Sequence, residues 1–206
     1  IKADEGTALT QLRFFTDDAR LDRLDTALAL KQHKLLWSPK GKAYTNEDLK
    51  ISDQDGMLIL TIDMSSRPVG WRAKLSSPVL DMAKRGEYDP HDFFEPVRVR
   101  NGDLYLDKGF YILSSQECVR VPPHLACEMQ PTDDKSGEFR AHYAGFIDPG
   151  WGWGKAGESK GRRLTLEVRP HEDNLIVRKG RPIAKIGFER MAAIPEDLYD
   201  TGKPNY

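Results

Sequence analysis

Residues 164–168 read LTLEV, and their alternation sends Leu164, Leu166 and Val168 to one face of a strand and Thr165 and Glu167 to the other. On a solvated face that pattern is only a half-buried strand. On a face that lines a cleft, the Glu167 carboxylate can take a proton from water and return it to a substrate. A second carboxylate, Asp148, ends the apolar run HYAGFID and opens an Asp-Pro-Gly turn. Pro149 presets φ in that turn and Gly150 accepts positive φ, so Asp148 stands at the strand-to-turn junction, where it either caps the turn or accepts a ligand hydroxyl. Trp151 and Trp153 follow, spaced by glycine, and can offer a stacking surface or cover a core edge. The basic groups Lys155, Lys160, Arg162 and Arg163 read as a solvated loop.

These groups need a scaffold, and the texture from Met57 onward supplies one. MLILTIDM, VGWRAKL, FEPVRVR, DLYLD, GFYILSS, CVRVPPHLACEMQ, EFRAHYAGFID, RRLTLEVRP, NLIVRKG and PIAKIGFERM are short strand candidates separated by Gly and Pro turns. Their regular spacing predicts an all-β barrel or sandwich over about residues 57–188. Upstream, DDARLDRLDTALALKQHK places Leu21, Leu24, Leu28 and Leu35 at helical spacing, acidic residues first and basic ones last, which predicts one amphipathic connecting helix with Leu21, Leu24 and Leu28 on one face. Residues 37–56 are polar and turn-rich and read as a linker.

The chain of 206 residues carries 31 Lys plus Arg against 32 Asp plus Glu, a formal charge of -1. That is no footprint for a nucleic acid polymer or an anionic membrane, so any polyanion bound here is small and locally held. Cys118 and Cys127 lack CxxC spacing and signal neither a disulfide framework nor a zinc site, which fits a reducing cytoplasm. No apolar run approaches a membrane span, and the N-terminus lacks the layout of a signal peptide. His33, His91, His124 and His171 lie in unrelated contexts and read as ordinary surface or turn residues, and alternation points His142 away from Tyr143.

A short repeat sets the domain expectation. GTALTQLRF at 6–14 and GRPIAKIGF at 180–188 share the pattern Gly-x-x-[Leu/Ile]-x-x-[Leu/Ile]-x-Phe, one near each end of the chain. Residues 1–15 then read as the closing strand of a preceding repeat, 16–55 as connecting helix and linker, and 56–206 as the main domain. The strand at 7–14 would find its partners outside this chain or in a swapped neighbour.

The order GFYILSS, VRVPPHLACEM, HYAGFIDPGW, LTLEV and the 180–188 strand resembles the dCTP deaminase branch of the dUTPase-like family, over roughly residues 88–206 and most closely its long, duplicated bacterial form. The signature is AGFIDPG at 144–150 followed by a Leu-Glu strand. The resemblance implies a mainly β, dUTPase-like distorted β-barrel of jelly-roll or β-clip type with a few short helices. It implies that the backbone of 143–148, with Tyr143, Ala144, Gly145 and Phe146, lies against pyrimidine and deoxyribose, that Asp148 binds the 3'-hydroxyl, that Glu167 shuttles protons and that Thr165 and Leu166 flank it. Tyr199 and the end GKPNY match the start of a tail that closes over the nucleotide.

The implied function is hydrolytic deamination of dCTP to dUTP in pyrimidine nucleotide metabolism. Alternatives are a dUTP diphosphatase or bifunctional enzyme, against which Trp151 in place of the usual Tyr counts, and a non-catalytic half. The H-x-E and P-C-x-x-C elements of zinc deaminases do not occur, so metal-free catalysis is expected, with Mg2+ riding on the triphosphate. The family implies a homotrimer, or a pseudo-trimeric assembly of duplicated halves.

Several positions depart from the family. Where single-length members carry Gly-Arg-Ser-Ser-x-x-x-Arg, this chain has MQPTDDKSGEFRA, with Lys135, Ser136 and Arg140 as the nearest phosphate ligands. The long form places a Ser-Ser-Thr-Gly-Arg element in its first half. Phe146 replaces an arginine beside the sugar-binding segment, and the connection from Asp148 to Glu167 is longer than in single-length members.

Overall fold

The computed structural model describes residues 19–201 except 49, 76, 77, 82, 83, 85, 133–138 and 142–144, and for 139–141 it describes the strand without side chains. The expected strand at 7–14 lies outside the described residues. Helix α1 (Arg23–His33) starts where the Asp22 carboxylate accepts the Asp25 N–H at 2.7 Å, and it ends at Lys34, whose φ of 51° is left-handed. Its buried stripe is Thr26, Ala29 and Leu30. Leu24 and Leu28 share one face of the helix and are 68% and 47% exposed, while Leu21, expected with them, precedes the helix and is buried. At 100° per residue Leu24 lies opposite Thr26 and Leu28 opposite Leu30, so α1 carries apolar residues on both sides and periodicity alone does not choose between them.

The strands are β1 (Leu36–Trp37), β2 (Leu58–Thr61), β3 (Gly70–Ala73), β4 (Phe94–Val97) after the short helix α2 (Pro90–Phe93), β5 (Asp103–Leu106), β6 (Tyr111–Val119), β7 (Leu125–Pro131), β8 (Phe139–Ala141), β9 (Gly145–Ile147), β10 (Arg162–Pro170), β11 (Leu175–Arg178) and β12 (Pro182–Arg190). They form an antiparallel sheet β4-β3-β6-β10-β8 with β1 also on β6, a second sheet β2-β12-β7-β9, and a β11-β5 pair. The fold is mainly β, as expected. One core joins the sheets: Leu58, Leu60, Leu104, Leu106, Leu113, Leu166 and Ile186 are fully buried, and Leu30, Leu35 and Leu36 from the upstream segment belong to the same cluster.

One expected strand is two. EFRAHYAGFID contributes β8 to the first sheet, against β10, and β9 to the second, against β7. The chain is therefore in the first sheet up to Ala141 and in the second from Gly145. Conversely, Cys118 and Val119 extend β6, and the turn at 120–124 separates them from β7. A nine-residue strand buries every second residue of β6, including Ser115 and Glu117.

Buried Glu117 is fully enclosed, and it accepts the Thr61 N–H and hydroxyl and the Lys50 ammonium, each at 2.8 Å. Those bonds compensate the lost hydration of the carboxylate. They also tie Lys50, upstream of β2, and Thr61, at the end of β2, to β6.

Candidate active site

From Leu164 onward β10 alternates exposed Thr165, Glu167 and Arg169 with buried Leu164, Leu166 and Val168. The register places Glu167 opposite Ile112 and Ile112 opposite Trp71, so the three side chains form one outward row across β10, β6 and β3. Thr165 sits opposite Ser114 in the next row. Beyond Glu167 on the other side, Arg169 stacks over Phe110 with the guanidinium 5.0 Å from the ring centroid. Sequence reasoning missed Trp71 and Ile112, because the pattern shows which face a residue takes but only strand pairing shows its neighbours.

Leu166 points away from this face and is fully buried. Any contact it makes with a ligand runs through its backbone. Ala141, the last described residue of β8, pairs with Val168, so the chain leaves the first sheet one register step from Glu167. It reappears as β9 in the second sheet, with Gly145 half-buried, Phe146 41% exposed and Asp148 half-buried after Ile147. Tyr143, Ala144 and Ser136 lie outside the described residues; Arg140 lies on β8 opposite Arg169, and of it only the backbone is described.

The Asp148 turn is built rigidly. The Asp148 carbonyl accepts the Trp151 N–H at 3.1 Å, and the Gly150 N–H donates to the Val121 carbonyl at 3.1 Å. Gly150 has φ of 88°, and a Cβ there would stand 2.6 Å from the Leu198 Cβ, so glycine is required for close approach of the C-terminal segment. That segment brings in Tyr199, whose N–H donates to the Pro149 carbonyl at 3.0 Å and whose ring lies 4.7 Å from that of Trp151. Asp148 and Tyr199, apart in sequence, thus share one turn, while Glu167 stands on the other sheet.

Of the basic groups expected on a solvated loop, Lys155, Lys160 and Arg162 are exposed, while the tryptophans at which the loop starts fold back onto the protein. Trp151 packs against the core, and the Arg120 guanidinium lies over the Trp153 ring at 4.1 Å while donating to the Gly157 carbonyl at 2.8 Å. Glu158 accepts the N–H groups of Lys155 and Ala156 at 3.1 and 2.8 Å. Arg162 pairs with Asp200 at 3.3 Å, and Asp200 also accepts the Gly154 N–H at 3.0 Å. Lys160 lies 5.9 Å from the Trp37 ring centroid. The aromatic faces are spent on internal arginine and tyrosine contacts, which closes the loop onto the fold.

Arg163 joins a polar cluster behind the same strand: it bonds to Asp63, which also accepts from the Ser65 and Ser66 hydroxyls. Burial pushes the Asp63 carboxyl up, but the hydrogen bonds from Ser65 and Ser66 and the Arg163 charge outweigh it, and Asp63 titrates below its ordinary value. Cys118, opposite Arg163, is pushed up, chiefly by burial. Both cysteines are free thiols. Among the described residues, no group of three or more His, Cys, Asp or Glu side chains is disposed to hold a metal ion, and no helix is long and apolar enough to cross a membrane.

Comparison with known proteins decides the family. The description "2'-deoxycytidine 5'-triphosphate deaminase (DCD), C-terminal domain" matches residues 29–206. The chain belongs to this family. Among solved structures, the dCTP deaminase C-terminal fold seen here is similar to the crystal structure of 2'-deoxycytidine 5'-triphosphate deaminase from Agrobacterium tumefaciens, with 34% identity and a TM-score of 0.70, over 87% of this chain and 51% of that one. The chain thus spans about half the length of the Agrobacterium protein. No curated protein matches. In this dCTP deaminase C-terminal domain the Leu-Glu strand is β10, between β6 and the edge strand β8, and the Asp-Pro-Gly turn follows β9.

Proposed function

We propose that this chain is the C-terminal half of a dCTP deaminase and that Glu167 is its proton shuttle. The observation that carries the proposal is the exposed carboxylate of Glu167 on the outer face of β10, one register step from the point where β8 leaves toward the Asp148 hairpin. Glu167 takes a proton from water as the oxygen attacks C4 of cytosine. It then delivers protons to N3 and the departing amine, so that dCTP and water become dUTP and ammonia. Thr165, beside Glu167 on the same face, flanks the base, and Leu166 contributes backbone only. The backbone of 143–146 lies along pyrimidine and sugar, Asp148 accepts the 3'-hydroxyl, and Tyr199, held on the Asp148 turn, starts the cover over the nucleotide.

Ser136 and Arg140 are the phosphate ligands this half can offer, but QPTDDKSGE carries one lysine among three acids. A triphosphate needs several donors to replace its water. A preceding half, closed by residues 1–15 and joined through 16–55, would supply the rest in a pseudo-trimeric or homotrimeric assembly. Mg2+ on the triphosphate would screen its charge, and the setting is cytoplasmic.

Incubating dCTP and dUTP separately with the protein and assaying ammonia and pyrophosphate tests the reading. With the preceding half restored, ammonia from dCTP and no pyrophosphate from dUTP is expected. Pyrophosphate from dUTP would indicate a diphosphatase, and neither product, even with the preceding half restored, would leave a scaffold. Glu167→Gln in the complete enzyme should lower deamination at least ~100-fold at little cost in nucleotide affinity.

A further inference from the structure

A cleft of about 380 Å³ opens between the β3-β4 edge and β5, and it is lined by Arg72, Glu95, Arg98, Arg100, Tyr105 and Asp107 among others. Its volume lies within the range of small-ligand pockets, roughly 300–1,000 Å³. The cleft is separate from the Glu167 face. Arg72 pairs in register with Tyr111, and Tyr111 with Val168, so Arg72 takes the side of β3 opposite Trp71, Ile112 and Glu167.

The charges are unequal in their commitments. Arg72 donates to the Lys108 carbonyl at 3.1 Å, approaches Glu95 at 3.8 Å and lies over the Tyr111 ring at 5.7 Å. Asp107 accepts the Asn174 N–H at 3.1 Å. Both acids of the cleft are therefore engaged. Arg98 and Arg100 are exposed, and among the described residues neither guanidinium has a carboxylate or carbonyl partner.

Their positions are nonetheless fixed. Val97 and Val99 alternate with them and pack against the core. Asn101 and Gly102 both have positive φ, 52° and 87°, and the turn they make closes on paired backbone bonds between Arg100 and Asp103 at 2.9 and 3.0 Å. Two forked cations held two residues apart on one edge, beside the 43% exposed ring of Tyr105, match a pair of linked phosphoryl groups carrying a base.

We propose that this cleft binds the pyrophosphate group of a nucleoside di- or triphosphate, with Arg98 and Arg100 on the phosphates and Tyr105 against the base, at a site separate from the deamination site. Titration calorimetry on the 206-residue chain with inorganic pyrophosphate and with dUDP tests it, comparing the parent, Arg98→Ala/Arg100→Ala and Tyr105→Ala. The double arginine variant should bind pyrophosphate at least ~10-fold more weakly, because each charge-assisted bond lost costs that much or more, and its unfolding temperature should be unchanged because both residues are exposed. Tyr105→Ala should weaken dUDP while sparing pyrophosphate. Pyrophosphate binding that is absent at millimolar concentration, or that survives the double arginine variant, overturns the proposal.

Discussion

Replacing Glu117 by alanine should destabilise this protein severely, although the residue touches no proposed substrate contact. Its side chain is fully buried and accepts three bonds of 2.8 Å, from the Thr61 N–H, the Thr61 hydroxyl and the Lys50 ammonium, whose side chain is itself 19% exposed. Alanine leaves the buried Thr61 N–H without an acceptor, which costs about 1–3 kcal/mol, and strands the lysine. Breaking one side of a buried pair costs about 3–5 kcal/mol in all. For a chain of this size each kcal/mol lowers the midpoint by about 2–4 °C, so a fall of roughly 10 °C is expected in a thermal melt. Glu117→Gln keeps an acceptor for Thr61 and should lose less than alanine. Glu117→Met with Lys50→Met removes both charges together and should recover only the part of the loss due to the stranded lysine, because the buried Thr61 N–H still lacks its acceptor. A melt of Glu117→Ala within 2 °C of the parent would refute the assignment of this carboxylate as the tie between β6 and the upstream segment.

Four further outcomes are expected. Glu167→Gln should leave the melt unchanged within about 0.5 kcal/mol because the residue is exposed, while Asp148→Asn should raise KM and blunt discrimination at the 3'-hydroxyl; equal losses of stability and rate in Glu167→Gln would argue against a proton shuttle. His33 meets the His124 ring at 4.7 Å, and burial first, then His124 and Arg120, hold its pKa below 6.5. As pH falls through 6.5 the unfolded chain takes up that proton before the folded one, so stability declines toward the lowered folded value, and His33→Gln should flatten the slope measured in urea melts between pH 7.5 and 5.5. Gly152→Ala should destabilise by more than the ~1–2 kcal/mol of a left-handed alanine, because at φ of 60° its Cβ would stand 2.4 Å from the Val119 carbonyl oxygen; an unchanged denaturant midpoint would show that the loop yields there.

Much of this was legible because strands and turns are local. Alternation alone put Thr165 and Glu167 on one face and Leu166 on the other, and Asp-Pro-Gly placed Asp148 at the end of β9, since side-chain period and turn φ depend on a few neighbouring residues. What alternation does not contain is partnership. EFRAHYAGFID reads as one apolar run, yet its two ends pair with β10 and β7 in different sheets, a choice made by register over long sequence separations. α1 offered Leu24 and Leu28 on one side and Thr26, Ala29 and Leu30 on the other, and only the surface it packs on selected the second. The tryptophan loop makes the same point. Its composition is that of a solvated basic segment, and its order comes from groups distant in sequence, Arg120 on Trp153 and Asp200 on Arg162, which meet because β6, β10 and the C-terminal segment converge there.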